Sequence, residues 1–169
     1  VLEMAGNRIT ASALMREPRS DRAIVQADIA HDLNTAVGHA DLLVPAITFD
    51  SRLQPDMITP IARGIVANAR GKLTGKGRID GTARGVTSTG SFTTEGLDLA
   101  APFGPTKGLS GTVVFTDLLN LVTAPNQKLR LASVNPGIEV EDGVLTYQIR
   151  PNLQLDIDGI EWPFMDGTL

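Results

Sequence analysis

The feature that most constrains this fold is the alternation of apolar and polar residues over residues 128–169. Successive strand side chains point to opposite faces of a sheet, so a period of two predicts strands with one apolar face. Pro151-Asn152 provides a turn, and Leu155 and Ile157 then alternate with polar residues. The rest of the chain repeats this plan less regularly, which predicts about twelve antiparallel strands in up-and-down order.

Asp142-Gly143 stands between two alternating runs and predicts a two-residue hairpin loop. Type I′ loops need positive φ at both central residues, which Asp and Gly tolerate. In this register Val140 faces Leu145 and Ile138 faces Tyr147. The hairpin would therefore place these four side chains on one face.

Other turn signals divide the middle of the chain. Glu95-Gly96 is predicted to separate a strand over residues 86–94 from one over 97–103, and a further turn is predicted over 104–107. Pro45 predicts an edge, a bend or a break, because proline cannot donate to the ladder. Between Pro55 and Pro60, residues 56–59 are predicted to form a loop or a single helical turn, and residues 61–68 to be either extended or briefly helical.

The length suits one domain with a sizeable core, since the chain has 169 residues. Asp166-Gly167 predicts another hairpin whose return strand has barely begun at Leu169, and the chain starts at Val1 rather than at methionine. We therefore expect a single β-rich domain over residues 1–169 that is a fragment of a longer protein.

Composition supports a sheet and excludes several functions. Aromatic residues make up only 4%, with 17 glycines and 10 prolines, so Leu, Val, Ile and Ala must fill the interior between many turns. A net charge of -4 gives no basic surface for nucleic acid or an anionic membrane. With no cysteine, neither a disulfide nor a cysteine metal site can form.

No motif predicts catalysis, a metal or a cofactor. His31 and His39 are the only histidines, and the polar turn after His31 is expected to separate them. The glycine-rich run 71–77 is one residue short of a phosphate-binding loop and lacks its Ser or Thr. The acidic run 156–161 lacks calcium-loop spacing. We therefore predict that the protein is not an enzyme and needs no cofactor.

An ordered set of short motifs resembles the C-terminal region of the YdbH family, which belongs to the AsmA-like group that includes TamB. An older label for this region is "dicarboxylate transport". The resemblance covers roughly residues 53–169, with Asp166-Gly167 standing where Gly-Gly is expected. The motifs are GLSGTVVFTDL at 108–118, TAPNQ at 123–127, VNPGI at 134–138, DG at 142–143 and WPF at 162–164.

The resemblance implies a long, strongly curved antiparallel sheet, a half-pipe or β-taco, with an apolar inner face. It also implies a full-length protein that is anchored in the inner membrane, crosses the periplasm of Gram-negative bacteria and moves phospholipid towards the outer membrane. We expect its partner to be a small outer-membrane lipoprotein that adds a strand at the C-terminal edge.

A phospholipid acyl chain needs only an apolar trough, worth about 0.8 kcal/mol per buried CH₂, and no catalytic group. The candidate groove residues are the inward-facing apolar side chains of the predicted strands. They are Leu73, Ile79, Phe92, Leu97, Leu99, Leu109, Val113, Phe115, Leu129, Leu131, Ile138, Val140, Leu145, Tyr147, Leu155, Ile157, Trp162 and Phe164.

Alternation alone favours a filled core, and only the family resemblance favours an open groove. A β-sandwich, or a structural or adhesin β-solenoid module that binds no lipid, therefore remains the alternative, with a β-helix hydrolase as a third. A solenoid predicts a fixed coil repeat, and the sequence has none. A hydrolase predicts carboxylates clustered in a cleft, whereas the carboxylates here are scattered.

Overall fold

The computed structural model describes residues 1–102, 104–164 and 167–168, and these are almost entirely β. One helical turn, α1 (Pro55–Ile58), and the 3₁₀ turns Pro60–Ala62 and Pro151–Leu153 complete the regular structure. The strands are β1 (Leu2–Ala5), β2 (Arg8–Arg16), β3 (Ala23–Asp32), β4 (Val37–Phe49), β5 (Ala67–Thr82), β6 (Gly85–Ala101), β7 (Gly104–Asp117), β8 (Val122–Thr123), β9 (Gln127–Val134), β10 (Val140–Arg150), β11 (Gln154–Glu161), β12 (Pro163–Phe164) and β13 (Gly167–Thr168).

Eleven of these strands form one antiparallel sheet in the order β1-β2-β3-β4-β5-β6-β7-β9-β10-β11, with β8 paired to β7. This confirms the predicted all-β, up-and-down architecture, and the sheet is open at β1 and β11 rather than stacked or coiled. The short β12–β13 pair stands apart, with Phe164 opposite Gly167. Asp166 of the turn predicted there lies outside the described residues.

Local sequence explains the clearest hairpin and bend. Gly6-Asn7 links β1 to β2, and Gly6 adopts the positive φ of 59° that a tight hairpin turn needs. Pro45 lies in the middle of β4, where pairing with β5 shifts register between Val44 and Ile47. Of the outcomes predicted at Pro45, the structure shows an interrupted ladder inside a strand that continues, because a residue without an N–H cannot donate to it.

The hairpin predicted at Asp142-Gly143 is wrong. β10 runs through it without a break, Val140 pairs with Val134, and Tyr147 pairs with Gln127. Asp142 has the positive φ of 54° that a turn residue would need, but the pairing with β9 keeps one register on both sides of it. Ile138 lies in the loop between β9 and β10 and is 77% exposed, so it does not face Tyr147.

The turn predicted at Glu95-Gly96 is wrong for the same reason. β6 continues through these residues, and its pairing with β7 shifts register between Thr94 and Leu97. The turn predicted over residues 104–107 is also wrong, because Gly104 begins β7 and pairs with Ala101. The connection between β6 and β7 is therefore shorter than predicted, and it includes Phe103, which lies outside the described residues.

Two side chains accept backbone hydrogen bonds near the interruption between β8 and β9, at residues 124–126. The Val114 N–H donates to Gln127 Oε1 at 2.7 Å, and the Ile149 N–H donates to Thr123 Oγ1 at 2.9 Å. Both acceptor residues are buried. An unpaired buried N–H is costly, and these two bonds give a partner to one N–H of β7 and one N–H of β10.

Residues 53–66, here called the strap, leave β4 and pack on one end of the apolar face of the sheet. Leu53 is fully buried in a cluster that includes Phe49, Ala69 and Leu97. The Gln54 amide fixes the strap in place: Nε2 donates to the Ala69 carbonyl and Oε1 accepts from the Ala69 N–H, both at 2.9 Å. The core therefore lies between the strap and strands β3 to β6.

Asp50 fastens the start of the strap. One carboxylate oxygen accepts from Arg22 at 2.7 Å, and the other accepts from the N–H groups of Arg52 and Leu53 at 2.8 and 3.2 Å. These bonds, led by the one from Arg22, lower the pKa of Asp50 from 3.8 to about 2. The folded state therefore favours the charged form of the Asp50 carboxylate.

Acidification is expected to loosen this attachment. A carboxyl whose pKa is lower in the folded state stabilises the fold fully above its unfolded pKa, near 3.8, and loses that contribution as pH falls towards about 2. The slope of unfolding free energy against pH across this window should be smaller in Asp50→Asn than in the wild type. Urea unfolding at several pH values measures it, and coincident slopes would contradict the role given to Asp50.

Candidate functional site

Directly opposed residues of paired strands share a face, so the register of the sheet defines one continuous apolar face. Phe92 of β6 lies opposite Val113 of β7, and on the next strands Leu129 lies opposite Leu145. Leu145 in turn lies opposite Ile160 of β11. The predicted alternation therefore extends across neighbouring strands as well as along each one.

The structure brings most of the predicted groove residues to this face, with different degrees of exposure. Ile138 is in a loop, and the side chain of Phe164 lies outside the described residues. Three are buried: Leu97, Leu131 and Tyr147. Two are about half exposed, Leu155 and Ile157. The remainder are partly exposed: Leu73, Ile79, Phe92, Leu99, Leu109, Val113, Phe115, Leu129, Val140, Leu145 and Trp162.

Glycines let large side chains lie across the face. A Cβ at Gly75 would come within 2.3 Å of the Phe92 ring, and a Cβ at Gly143 within 2.1 Å of the Trp162 indole. Phe92 also meets Phe115 edge to face, with ring centroids 5.8 Å apart. In the glycine-rich strand β5, Gly75 is therefore covered by the ring of Phe92 from the neighbouring strand β6.

Sequence reasoning missed the part of this face formed by β1 to β4. Ile29 lies opposite Ala40, and Ala40 lies opposite Ile79, so the face continues into the N-terminal strands. Leu2 and Met4 at the outer strand are 74% and 64% exposed. Alternation in these strands was the available signal, but only the register shows that they continue the same face.

The two ends of the face differ in how they are covered. The strap fills one end, where Leu73, Phe92 and Leu109 pack against the buried cluster. Nearer the other end, Leu118 folds back over the sheet, and its Cδ2 would lie 2.7 Å from a Cβ at Gly77. The face is therefore partly filled from β3 to β7. Leu131 in β9 and Tyr147 in β10 are also buried, whereas apolar side chains of the outer strands β1 and β11 are exposed.

The opposite face of the sheet is polar. Arg78 of β5 bonds Asp41 of the neighbouring strand β4 at 2.8 Å and Asp80 of its own strand at 2.9 Å. An open depression of about 620 Å³ on this face is lined by Lys76, Arg78 and Val114 among others. Of the predicted groove residues only Phe115 contributes to its wall, so this depression is not the predicted groove.

Tyr147 places a neutral phenol on the apolar face. Burial raises the pKa of Tyr147 to about 12, so its phenol stays neutral at any physiological pH. His31 pairs with Gly38 and His39 with Ala30, so the two imidazoles lie on opposite faces, as expected from the turn between them. Within residues 1–102, 104–164 and 167–168 no group of acidic or histidine side chains is arranged to hold a metal.

In the part of the chain that the structure describes, no helix has the length and apolar character needed to span a bilayer. The largest helical element there is the single turn α1.

Fold and face together define a class of protein: an open antiparallel sheet that presents one continuous apolar surface. The chain belongs to the YdbH-like family, whose model, described as "Intermembrane phospholipid transport protein YdbH", matches residues 4–169. This confirms the resemblance and extends it over β1 to β4. No curated protein and no solved structure matches the chain. The family function is intermembrane phospholipid transport, which is lipid movement rather than catalysis.

Proposed function

We propose that this chain is a segment of a lipid conduit in which the apolar face shields phospholipid acyl chains during transport between the inner and outer membranes. The observation that carries the proposal is the continuity of the apolar face from β1 to β11, given by the register of the strands. Leu155 and Ile157 at the β11 flank are 50% and 54% exposed. Such a surface needs a covering, and the family transports a molecule with apolar chains.

The physical basis is burial of hydrocarbon. Each CH₂ removed from water gains about 0.8 kcal/mol, and the gain does not depend on a specific contact. An acyl chain can therefore move along the face while staying shielded. The polar headgroup stays in water beyond the outer strands β1 and β11, so it does not have to be buried while the acyl chain moves.

We place this segment in the periplasm of Gram-negative bacteria, with the inner-membrane anchor of the full-length protein outside residues 1–169. Its partner is a small outer-membrane lipoprotein that pairs with the free edge of the sheet. β11 (Gln154–Glu161) is the last strand of that sheet, and among the residues that the structure describes it pairs only with β10. Its unpaired backbone groups can accept a further strand.

The test is to extract lipids from the gently purified protein with organic solvent and quantify them by mass spectrometry. We expect phospholipid at a fixed ratio to the wild-type protein and its loss in Val113→Asp and Leu145→Asp, because a carboxylate on the apolar face disfavours hydrocarbon. Val114→Asp is the matched control. Val114 is the next residue on the same strand and lies on the polar face, where it is 42% exposed.

Retention of lipid by a folded Val113→Asp variant would contradict the assignment of this face. A folded wild-type monomer that carries no lipid above background would contradict the conduit and favour a structural or adhesin module with a filled core. Circular dichroism and size-exclusion chromatography establish that each variant is folded and monomeric.

A further inference from the structure

A separate depression, of about 330 Å³, lies where three loops meet: the strap, the β7–β8 turn and the β10–β11 turn. Ile61, Leu119 and Leu153 are 45%, 56% and 45% exposed there. Leu121 and Val122 complete the apolar wall. None of these residues is among the predicted groove residues.

Two of these leucines adopt an unfavourable backbone conformation. Leu121 has a φ of 54° and Leu153 a φ of 59°. Of the other described non-glycine residues with positive φ, all except Ala36 are Asn or Asp, which tolerate this region far better than a bulky side chain does. Both hairpin turns thus place leucine where glycine or asparagine is the usual residue, and both leucines line the same depression.

The charges around the depression favour hydrocarbon over a headgroup. Among the described residues that line it, Asp117 alone is charged. Its carboxylate already accepts from Ser88 Oγ at 2.9 Å and from Asn120 Nδ2 at 2.7 Å. A phosphate would meet a negative charge with no cation beside it, whereas a methyl-terminated chain meets leucine and isoleucine side chains.

The β7–β8 turn lies between the depression and the apolar face and borders both. Leu118, in the same turn as Leu119 and Leu121, covers Gly77 on the apolar face. Ser88, which bonds Asp117, stands opposite Ile79 on that face. The turn therefore has one side on the sheet and the other on the depression.

We propose that this depression receives the methyl end of a phospholipid acyl chain, and that Leu121 and Leu153 hold their unfavourable conformation in order to line it. This inference rests on the proposed function, since it assigns one end of the acyl chain to a defined place.

Photo-crosslinking tests the assignment with palmitic acid that carries a diazirine at its methyl end. After irradiation of the wild-type protein, fragment-ion mass spectrometry locates the labelled residues. We expect labels on residues 119–122 and 151–153. Leu121→Asn and Leu153→Asn together should lower labelling there by about tenfold, the factor that corresponds to roughly 1.4 kcal/mol of lost contact.

Leu33→Asn is the matched control, because Leu33 is a turn leucine that is 46% exposed and has no positive φ. This variant should label as the wild type does. The paired asparagine variants should keep or raise the melting temperature, since asparagine accepts the left-handed conformation. A lower melting temperature would identify the leucines as packing residues and overturn the proposal.

The position of labelling separates this inference from the proposed function. Labels confined to strands β9 to β11 would overturn the depression as the chain-end site and leave the conduit standing. Labels nowhere on the protein would overturn both. Labels on the three loops that are insensitive to the asparagine variants would overturn the role of the two leucines.

Discussion

Gly71→Ala is expected to lower the free energy of unfolding by about 3–5 kcal/mol, because strain and overlap add at this position. Gly71 has a φ of +135°, a conformation that L side chains rarely adopt. A Cβ there would also lie 2.5 Å from the Gly96 carbonyl oxygen and 3.1 Å from Leu97 Cα. Both neighbours are backbone atoms of the bulge in β6, so neither can move without disturbing the sheet.

Gly85→Ala isolates the strain. Gly85 has a similar φ of +143°, but no atom lies within 4 Å of the position of a Cβ. This variant should lose only about 1–2 kcal/mol. Chemical denaturation of both variants gives the comparison, and equal losses would show that the close approach of β5 to the bulge does not contribute.

Leu53→Ala is expected to cost about 2–5 kcal/mol, the range for emptying a well-packed leucine site. Leu53 is 0% exposed and lies in the cluster that joins the strap to β4, β5 and β6. The Leu53 N–H donates to Asp50, and the Ala69 N–H donates to the Gln54 side chain, so the strap cannot easily collapse into the cavity. Loss of the side chain should therefore leave most of the cavity empty.

Ile61→Ala is the control within the same strap. Ile61 is 45% exposed, so its truncation should change the unfolding free energy by less than about 1 kcal/mol. Chemical denaturation of the two variants measures the cost of truncation at each position. A similar cost at both positions would mean that the strap packs as a unit on the sheet, whereas a negligible cost at Leu53 would contradict its place in the core.

Much of the fold was predictable because alternation with a period of two is a strong signal for a half-buried strand. The Gly6-Asn7 hairpin is a position where local chemistry has one structural outcome, because Gly6 supplies the positive φ that the turn needs. Asp142 is different. Its positive φ occurs inside a strand, and the local sequence does not show that β10 continues through it.

The candidate site was predictable only in part, because a period shows which residues of one strand share a face and not which strands are neighbours. Phe92 and Val113 were predicted to face inward, and the structure places them opposite each other. The depression lined by Leu121 and Leu153 had no such signal. Leucine in a turn looks like any surface leucine until its φ is known.

The strap makes the affinity for hydrocarbon uneven along the sheet. Where Leu53 and its neighbours already exclude water, an arriving acyl chain exchanges one buried surface for another and gains little free energy. Beside Leu155 and Ile157 the same chain covers surface that is half exposed, and the gain approaches about 0.8 kcal/mol per CH₂. Under the proposed function, a hydrocarbon would therefore bind more tightly beside Leu155 and Ile157 of β11 than beside the strap or beside the buried Tyr147 of β10.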